Sequence, residues 1–161
     1  MRRSILLGLV LGLMVLGAAM ESSAQGGPVL EKAWVPAEVN YKGLLKIYIK
    51  ASDPEGDMRW VVVTGGRGTN PMASVPIRLS KEMGKELNGY VYWDTRGTAN
   101  QNASGTVWVL IEDRKGNESQ TLSFPVKIVA KGAKAEKPPA DFKETAIGPV
   151  MIDLRAIMGA Q

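Results

Sequence analysis

The sequence predicts an all-β fold, and two segments of the same design are the main reason. In residues 46–63 and 106–128, a strand of alternating apolar and polar residues runs into an acidic turn that contains glycine. A second strand then leaves each turn. Period-two alternation bounded by Asp, Pro, Gly and Asn is the sequence signal of strands joined by a tight connection. We therefore expect a β-sandwich whose acidic turns lie at one end.

Short strands recur along the rest of the chain at regular spacing. We expect seven of them, at residues 29–35, 45–51, 58–64, 75–79, 90–95, 106–111 and 120–129. Pro36 ends the first strand, as an edge strand permits. Turn and loop residues separate the others, at 38–43, 53–57, 65–74 and 96–104. Residues 81–88 form a polar connection that contains one helical turn.

This number and spacing of strands is typical of an immunoglobulin-like β-sandwich. A small closed barrel is the alternative. The sandwich is favoured because Trp60 falls on the third strand, where this fold commonly carries a core tryptophan. The predicted fold class is all-β: a seven-stranded immunoglobulin-like sandwich over residues 25–130, followed by a linker and a short docking segment.

Two turns also resemble those of a known class of domains. Residues 53–57 (Asp-Pro-Glu-Gly-Asp) are similar to the D-x-D-G-D turn of bacterial immunoglobulin-like, cadherin-like and fibronectin type III-like exported modules. Residues 112–117 (Glu-Asp-Arg-Lys-Gly-Asn) are similar to their penultimate D-x-x-G-N turn. The resemblance covers residues 29–129 and implies the fold alone, because such folds host many unrelated functions.

Residues 1–24 are expected to be a signal peptide. Arg2 and Arg3 form a positive n-region, residues 5–20 an apolar h-region, and residues 22–24 (Ser-Ser-Ala) a cleavage site. The apolar run is shorter than the roughly 20 residues that a membrane-spanning helix needs. We therefore expect an exported protein, periplasmic or secreted, with no transmembrane span after cleavage.

The composition argues against several functions. The 161 residues include no cysteine and no histidine, so a thiol nucleophile, a Ser-His-Asp triad and imidazole metal ligands are excluded. The net charge is +4, and the basic residues are scattered, whereas nucleic-acid binders concentrate them in a stripe. We predict that the protein is not an enzyme, does not bind nucleic acid and has no cofactor except, as an alternative, calcium.

The acidic turns are the candidate calcium site. In an immunoglobulin-like topology the turns after strands two and six lie at the same end. Calcium takes six to eight oxygen ligands. The oxygens brought together there belong to Asp53, Glu55, Asp57, Asp113 and Asn117. The favoured alternative is that Asp and Asn occupy these turns because they cap turns and tolerate left-handed backbone.

An apolar sheet face is the candidate for protein contact. If Met58, Trp60 and Val62 point inward, the outer face of the sheet formed by strands three, six and seven is apolar. It carries Val61, Val63, Trp108, Leu110 and Val129. A contiguous apolar patch of this kind usually marks an interface.

The C-terminal region is expected to provide the cover for this face. Residues 131–144 are rich in Lys, Ala and Pro, a composition typical of a linker. Residues 145–161 then form a docking segment, either a short helix or an added strand. We expect this segment to cover the face in cis, and the rival is that it binds a partner in trans. The apolar residues that would make the contact are Val150, Met151, Leu154 and Ile157.

The other sheet offers a possible ligand face. Tyr48, Tyr90 and Tyr92 lie on strands two and five, which are neighbours in this fold. Such aromatics can stack on sugars or peptides, although cross-strand pairing that stabilises the sheet is the favoured alternative. The predicted function is a non-enzymatic, exported binding or structural module of the cell envelope that contacts a protein partner. The alternative is a calcium-stabilised adhesion or carbohydrate-binding domain with a glycan ligand.

Overall fold

The structure is a computed structural model that describes residues 26–67, 70–72, 74–97 and 102–152. The described residues form two packed sheets and contain no α-helix, which confirms the predicted all-β sandwich. The expected signal peptide, residues 1–24, lies outside the described residues. Within the described ranges, no helix is long and apolar enough to cross a membrane.

The strands are numbered in chain order, and two single-turn 3₁₀ helices, Lys81–Met83 and Thr95–Gly97, separate some of them. The strands are β1 (Val29–Trp34), β2 (Glu38–Asn40), β3 (Leu44–Ser52), β4 (Met58–Arg67), β5 (Asn70–Met72), β6 (Ser74–Val75), β7 (Ile77–Arg78), β8 (Glu86–Asp94), β9 (Ala103–Asp113), β10 (Leu122–Val129), β11 (Ala146–Pro149) and β12 (Met151–Ile152).

The strand order is that of an immunoglobulin-like sandwich, except that one strand of the small sheet is replaced by another. The small sheet has the order β1-β3-β8-β11, and the large sheet has the order β2-β10-β9-β4-β5, with β7 also paired to β4. Strands β1, β3 and β8 correspond to strands A, B and E of that fold, beside which strand D normally lies. Here β11 takes the place of strand D and runs parallel to β8. Strands β6 and β12 form a separate antiparallel pair.

The core lies between the inward faces of the two sheets and follows the predicted period-two alternation. In β3, Leu45, Ile47 and Ile49 are buried, and in β9 so are Val109 and Ile111. Since alternate residues point to opposite faces of a strand, these side chains meet across the sandwich. Apolar burial of this extent supplies the main stabilisation of the domain, which has no cysteine and therefore no disulfide.

The predicted orientation of β4 is wrong, because the strand begins with an irregularity. The pairing of β4 with β9 shifts register between Met58 and Trp60. One extra residue exchanges the inner and outer faces of everything that follows it. Met58 is buried as predicted, but so are Val61 and Val63, which are 0% and 1% exposed. Trp60 and Val62 therefore lie on the outer face.

Two further elements were not expected from the sequence. The predicted turn at residues 38–43 contains β2, which pairs in parallel with β10. The predicted loop at residues 65–74 contains the end of β4 together with β5. Both pairings lie at an edge of the large sheet. Strand β2 pairs with a strand that is distant in sequence, and β5 pairs with the end of β4. The local residue pattern therefore gives little sign of either pairing.

The segment after β10 crosses the outer face of the small sheet, and we call residues 131–145 the strap. It has no regular secondary structure but makes specific contacts along its length. The backbone N–H of Ala133 donates to Asn40 Oδ1 at 3.0 Å. Further along, Lys32 Nζ lies 2.8 Å from Asp141 Oδ2. The strap then delivers the chain to β11 at the edge of β8.

Candidate functional site

Four apolar side chains form a patch on the outer face of the large sheet. They are Trp60 and Val62 of β4 and Trp108 and Leu110 of β9. Val62 lies opposite Leu110, and the next pair on the same face sets Thr64 opposite Trp108. All four are half-buried, and none belongs to the side chains that form the core or pack against it. We call these four residues the outer patch.

The outer patch differs from the predicted face in two of its members. Trp108 and Leu110 point outward as predicted, whereas Val61 and Val63 are core residues. Trp60 and Val62 take their place because of the irregularity at the start of β4. The patch is therefore richer in tryptophan than the sequence indicated. Val129, which was also expected on this face, is half-buried at the end of β10.

Basic residues border the outer patch at Trp60. The Arg59 guanidinium lies 5.0 Å from the centre of the Trp60 ring. Arg78 of β7 lies opposite Trp60 in the antiparallel pairing with β4. Both arginines line a cavity of about 340 Å³ at the end of the sheet. We call it the basic cavity, and its lining residues are Met58, Arg59, Arg78, Leu79, Ser80, Lys81 and Arg114.

The C-terminal segment docks on a different surface from the one predicted. Strand β11 extends the small sheet, which favours the added strand over the short helix for this part of the segment. Val150 is 7% exposed and belongs to the core, whereas Met151 of β12 is 61% exposed. Leu154 and Ile157 lie outside the described residues. The described part of the segment therefore packs in cis, on the edge of the small sheet through β11 and on β6 through β12, and not on the outer patch.

The strap covers the predicted tyrosine face. Tyr48 is 2% exposed, and its ring centre lies 5.4 Å from that of Tyr90 and 5.9 Å from that of Phe142 in the strap. The rings of Tyr90 and Tyr92 are 6.4 Å apart, so the three tyrosines do lie together. Because the strap occupies the space above Tyr48, this ring is not open to a ligand.

A polar contact fixes the strap above the tyrosines. The Tyr48 hydroxyl donates to Glu144 Oε1 at 2.5 Å, and Lys46 Nζ lies 2.7 Å from Glu144 Oε2. Burial and this hydrogen bond raise the pKa of Tyr48 above its ordinary value. The hydrogen bonds from Lys46 and Tyr48 hold the pKa of Glu144 below its ordinary value. Glu144 is therefore charged at neutral pH, where it keeps its ion pair with Lys46.

The two acidic turns lie side by side, as the topology predicted. The backbone N–H of Arg114 donates to the carbonyl oxygen of Asp57 at 3.1 Å. Lys115 forms an ion pair with Glu55, which joins the two turns at the surface. The structure thus brings the predicted calcium ligands into one region. However, the backbone amides of the turns already donate hydrogen bonds to some of these side chains.

The backbone amides of the two turns donate hydrogen bonds to the two most buried carboxylates. Asp53 accepts hydrogen bonds from the backbone N–H groups of Glu55 and Asp57, at 3.0 and 3.1 Å. Asp113 accepts from the backbone N–H of Asn117 at 2.8 Å and from its side-chain amide at 2.6 Å. This arrangement is typical of carboxylates that cap turns. Among the described residues, no group of three or more carboxylates is placed to hold a metal ion.

Asp57 has a less satisfied environment than its neighbours. Its Oδ1 atom is buried and has no hydrogen-bond partner. Burial is the main cause that raises the pKa of Asp57, and the hydrogen bond with Asp53 and the negative charge of Asp113 add to it. The ionised form of Asp57 therefore costs free energy in the folded protein.

Sequence reasoning did not find the basic cavity. Its four cations, Arg59, Arg78, Lys81 and Arg114, come from separate parts of the chain. No spacing rule brings such residues together, because the contacts depend on β7 pairing with β4 and on the turn after β9.

The comparisons with known proteins give remote likenesses. The sequence matches no protein-family model and no curated protein. A similar solved structure is the PKD domain of an M14-like peptidase from Thermoplasmatales archaeon SCGC AB-540-F20, with 16% identity and a TM-score of 0.39, covering 64% of this chain and 96% of that chain. Another is a Niemann-Pick type C2 protein from Japanese carpenter ant, with 15% identity and a TM-score of 0.44, covering 65% and 93%. The function is therefore inferred from this chain's own residues.

Proposed function

We propose that this chain is a non-enzymatic, exported binding module of the cell envelope, and that it binds a protein partner through the outer patch. The supporting observation is the pair of tryptophans, Trp60 and Trp108, on one sheet face outside the core. Tryptophan and arginine are the residue types that most often dominate binding energy at interfaces. Both types occur here, since Arg59 and Arg78 flank Trp60.

A non-enzymatic role fits the available side chains. The sequence has neither cysteine nor histidine, and the most buried carboxylates, Asp53 and Asp113, are engaged by the amides of their own turns. General acid–base catalysis needs a titratable group aimed at a substrate position. The strap also closes the tyrosine face, so a stacked glycan has less support as the ligand than a protein.

Charge favours a different protein over a second copy of this chain. In a two-fold symmetric dimer the same patch meets itself. Arg59 and Arg78 outnumber Glu112, the carboxylate opposite Trp60, so such a pairing would bring an excess of positive charge together, which is unfavourable at an interface. The net charge of +4 acts in the same direction. We therefore infer a partner whose contact surface combines apolar side chains with carboxylates.

The test compares two matched double variants. Trp60→Ser with Trp108→Ser removes the centre of the outer patch, whereas Leu44→Ser with Val75→Ser removes two exposed apolar side chains elsewhere. The full chain and both variants would be used to capture proteins from the envelope of the producing organism. A captured protein would then be purified and titrated against each of them.

The expected result is selective loss of binding. The tryptophan variant should bind the purified partner more than about tenfold more weakly, because central interface residues often contribute 2 kcal/mol or more. The Leu44 and Val75 variant should bind as the unaltered chain does. Melting temperatures within a few degrees of each other would show that both variants are folded. Full binding by the tryptophan variant would refute the proposal.

A further inference from the structure

We propose that the basic cavity is a binding site for a phosphate group. Four cationic side chains line it: Arg59, Arg78, Lys81 and Arg114. The salt bridges of the described residues use other cations, namely Lys32, Lys46, Lys50, Arg96 and Lys115. The four cations of the cavity therefore form no salt bridge within the described part of the chain.

The backbone holds these cations together. The N–H of Leu79, next to Arg78, donates to the carbonyl oxygen of Arg59 at 2.8 Å. The N–H of Arg114 donates to the carbonyl oxygen of Asp57, two residues before Arg59, at 3.1 Å. The register shift at the start of β4 also falls at Arg59, and such irregularities re-aim side chains. The convergence of charge is thus a property of the fold.

No carboxylate of the described residues lines the cavity. Glu82 is exposed, and its pKa is lowered by a hydrogen bond with Ser80 and by the charge of Lys81. Glu112 lies opposite Trp60 on the outer face. Neither glutamate lines the cavity. The contacts to a phosphate would come mainly from the four cations, which are the charged side chains that line the cavity.

The number of cations identifies the class of ligand. Arginine presents a planar fork of N–H donors that matches phosphate and carboxylate oxygens. A phosphate monoester carries about −1.5 to −2 charges near neutral pH, which four cations offset better than they would the single charge of a carboxylate. Met58 and Leu79 give the cavity apolar walls, and its volume of about 340 Å³ leaves room for an organic group beside the phosphate.

The first experiment measures binding of inorganic phosphate to the full chain by calorimetry at low ionic strength, with acetate as the carboxylate comparison. The variants are Arg78→Gln and Arg114→Gln, and the matched control is Lys127→Gln, which removes an exposed cation of β10. The unaltered chain and the control should bind phosphate alike. Each arginine variant should bind about two- to fivefold more weakly, because exposed charge pairs contribute modestly.

Two results would overturn the proposal. One is no phosphate binding at low ionic strength, where exposed charges are least screened. The other is equal binding by the arginine variants and the control, or acetate binding as tight as phosphate binding. Phosphate binding needs no protein partner, so this result is independent of whether the outer patch binds one.

A second arm separates two sources of the phosphate. Vesicles of phosphatidylcholine with and without phosphatidic acid would be sedimented with the full chain. Binding that requires phosphatidic acid and is weakened by Arg78→Gln and Arg114→Gln would identify a lipid headgroup. Phosphate binding without vesicle binding would identify a soluble phosphorylated molecule. Both outcomes support the site and differ only in the ligand that fills it.

Discussion

Replacing Gly89 with alanine is expected to strain the contact of β11 and the end of the strap with the small sheet. Gly89 lies in the middle of β8, where a Cβ atom would lie 2.4 Å from the carbonyl oxygen of Thr145 and 3.2 Å from Ile147 Cγ1. A backbone oxygen cannot rotate away as a flexible side chain can. The hydrogen bond from Tyr90 N–H to the same oxygen, 2.8 Å long, must therefore lengthen or break.

The expected loss of stability depends on the cost of the crowding and on the side chains that keep this region packed on the sheet. Overpacking a close contact costs about 1–3 kcal/mol. Release of β11 and the strap from the sheet would cost more, because it would expose the buried side chains of Phe142 and Val150. Burial of each such side chain contributes about 1.5–3 kcal/mol. At about 4 °C per kcal/mol for a domain of this size, Gly89→Ala should lower the melting temperature by about 4–12 °C.

The assay is thermal unfolding of Gly89→Ala in two backgrounds, the full chain and a chain that ends at Ala130. The shorter chain lacks the Thr145 oxygen, so alanine should be tolerated there or should stabilise by about 0.5–1 kcal/mol, since glycine loses more conformational freedom on folding. Trypsin cleavage at Lys143 provides a second readout in the full chain. An equal loss of stability in both backgrounds, or no loss in the full chain, would refute the close contact.

Three further predictions concern the acidic turns and the strap. Asp57→Asn should raise the free energy of unfolding by about 1 kcal/mol at pH 7, because it removes a negative charge that burial and the neighbouring carboxylates disfavour. Since the pKa of Asp57 is raised in the folded state, stability is lost as the pH rises through that pKa, so the gain should vanish below about pH 4 in urea titrations. Calcium and a chelator should give the same melting temperature, because turn amides already occupy Asp53 and Asp113; a calcium-dependent rise of several degrees that Asp57→Asn abolishes would instead support a metal site. Phe142→Ala should cost about 3 kcal/mol and expose Tyr48. Near-ultraviolet circular dichroism would follow that change, and an unaltered tyrosine signal would contradict the cover.

The strands that depend on local alternation were predictable, and the elements that depend on distant partners were not. The pattern of Leu45, Ile47 and Ile49 indicates a half-buried strand without knowledge of any partner. Strand β11 pairs with β8 across more than fifty residues of sequence. Gly89 fits this pairing, because a glycine inside a strand often allows another backbone to approach closely.

The candidate sites show the same division. The acidic turns were placed correctly because the fold class fixes where the turns after the second and sixth predicted strands lie. The outer patch was half correct, because one register shift beside Arg59 reversed the faces of β4. The basic cavity combines residues of β4, β7 and two turns, so only the three-dimensional arrangement shows that Arg78 and Arg114 share it.

The most direct test of the central claim is photo-crosslinking from the outer patch in the producing organism. A photoreactive phenylalanine analogue would replace Trp108 on the patch or, as the control, Leu44, which is exposed away from it. The proposed function predicts a covalent adduct with one partner protein from position 108 and none from position 44. Identical adducts from both positions, or an adduct at position 108 that contains only a second copy of this chain, would contradict it.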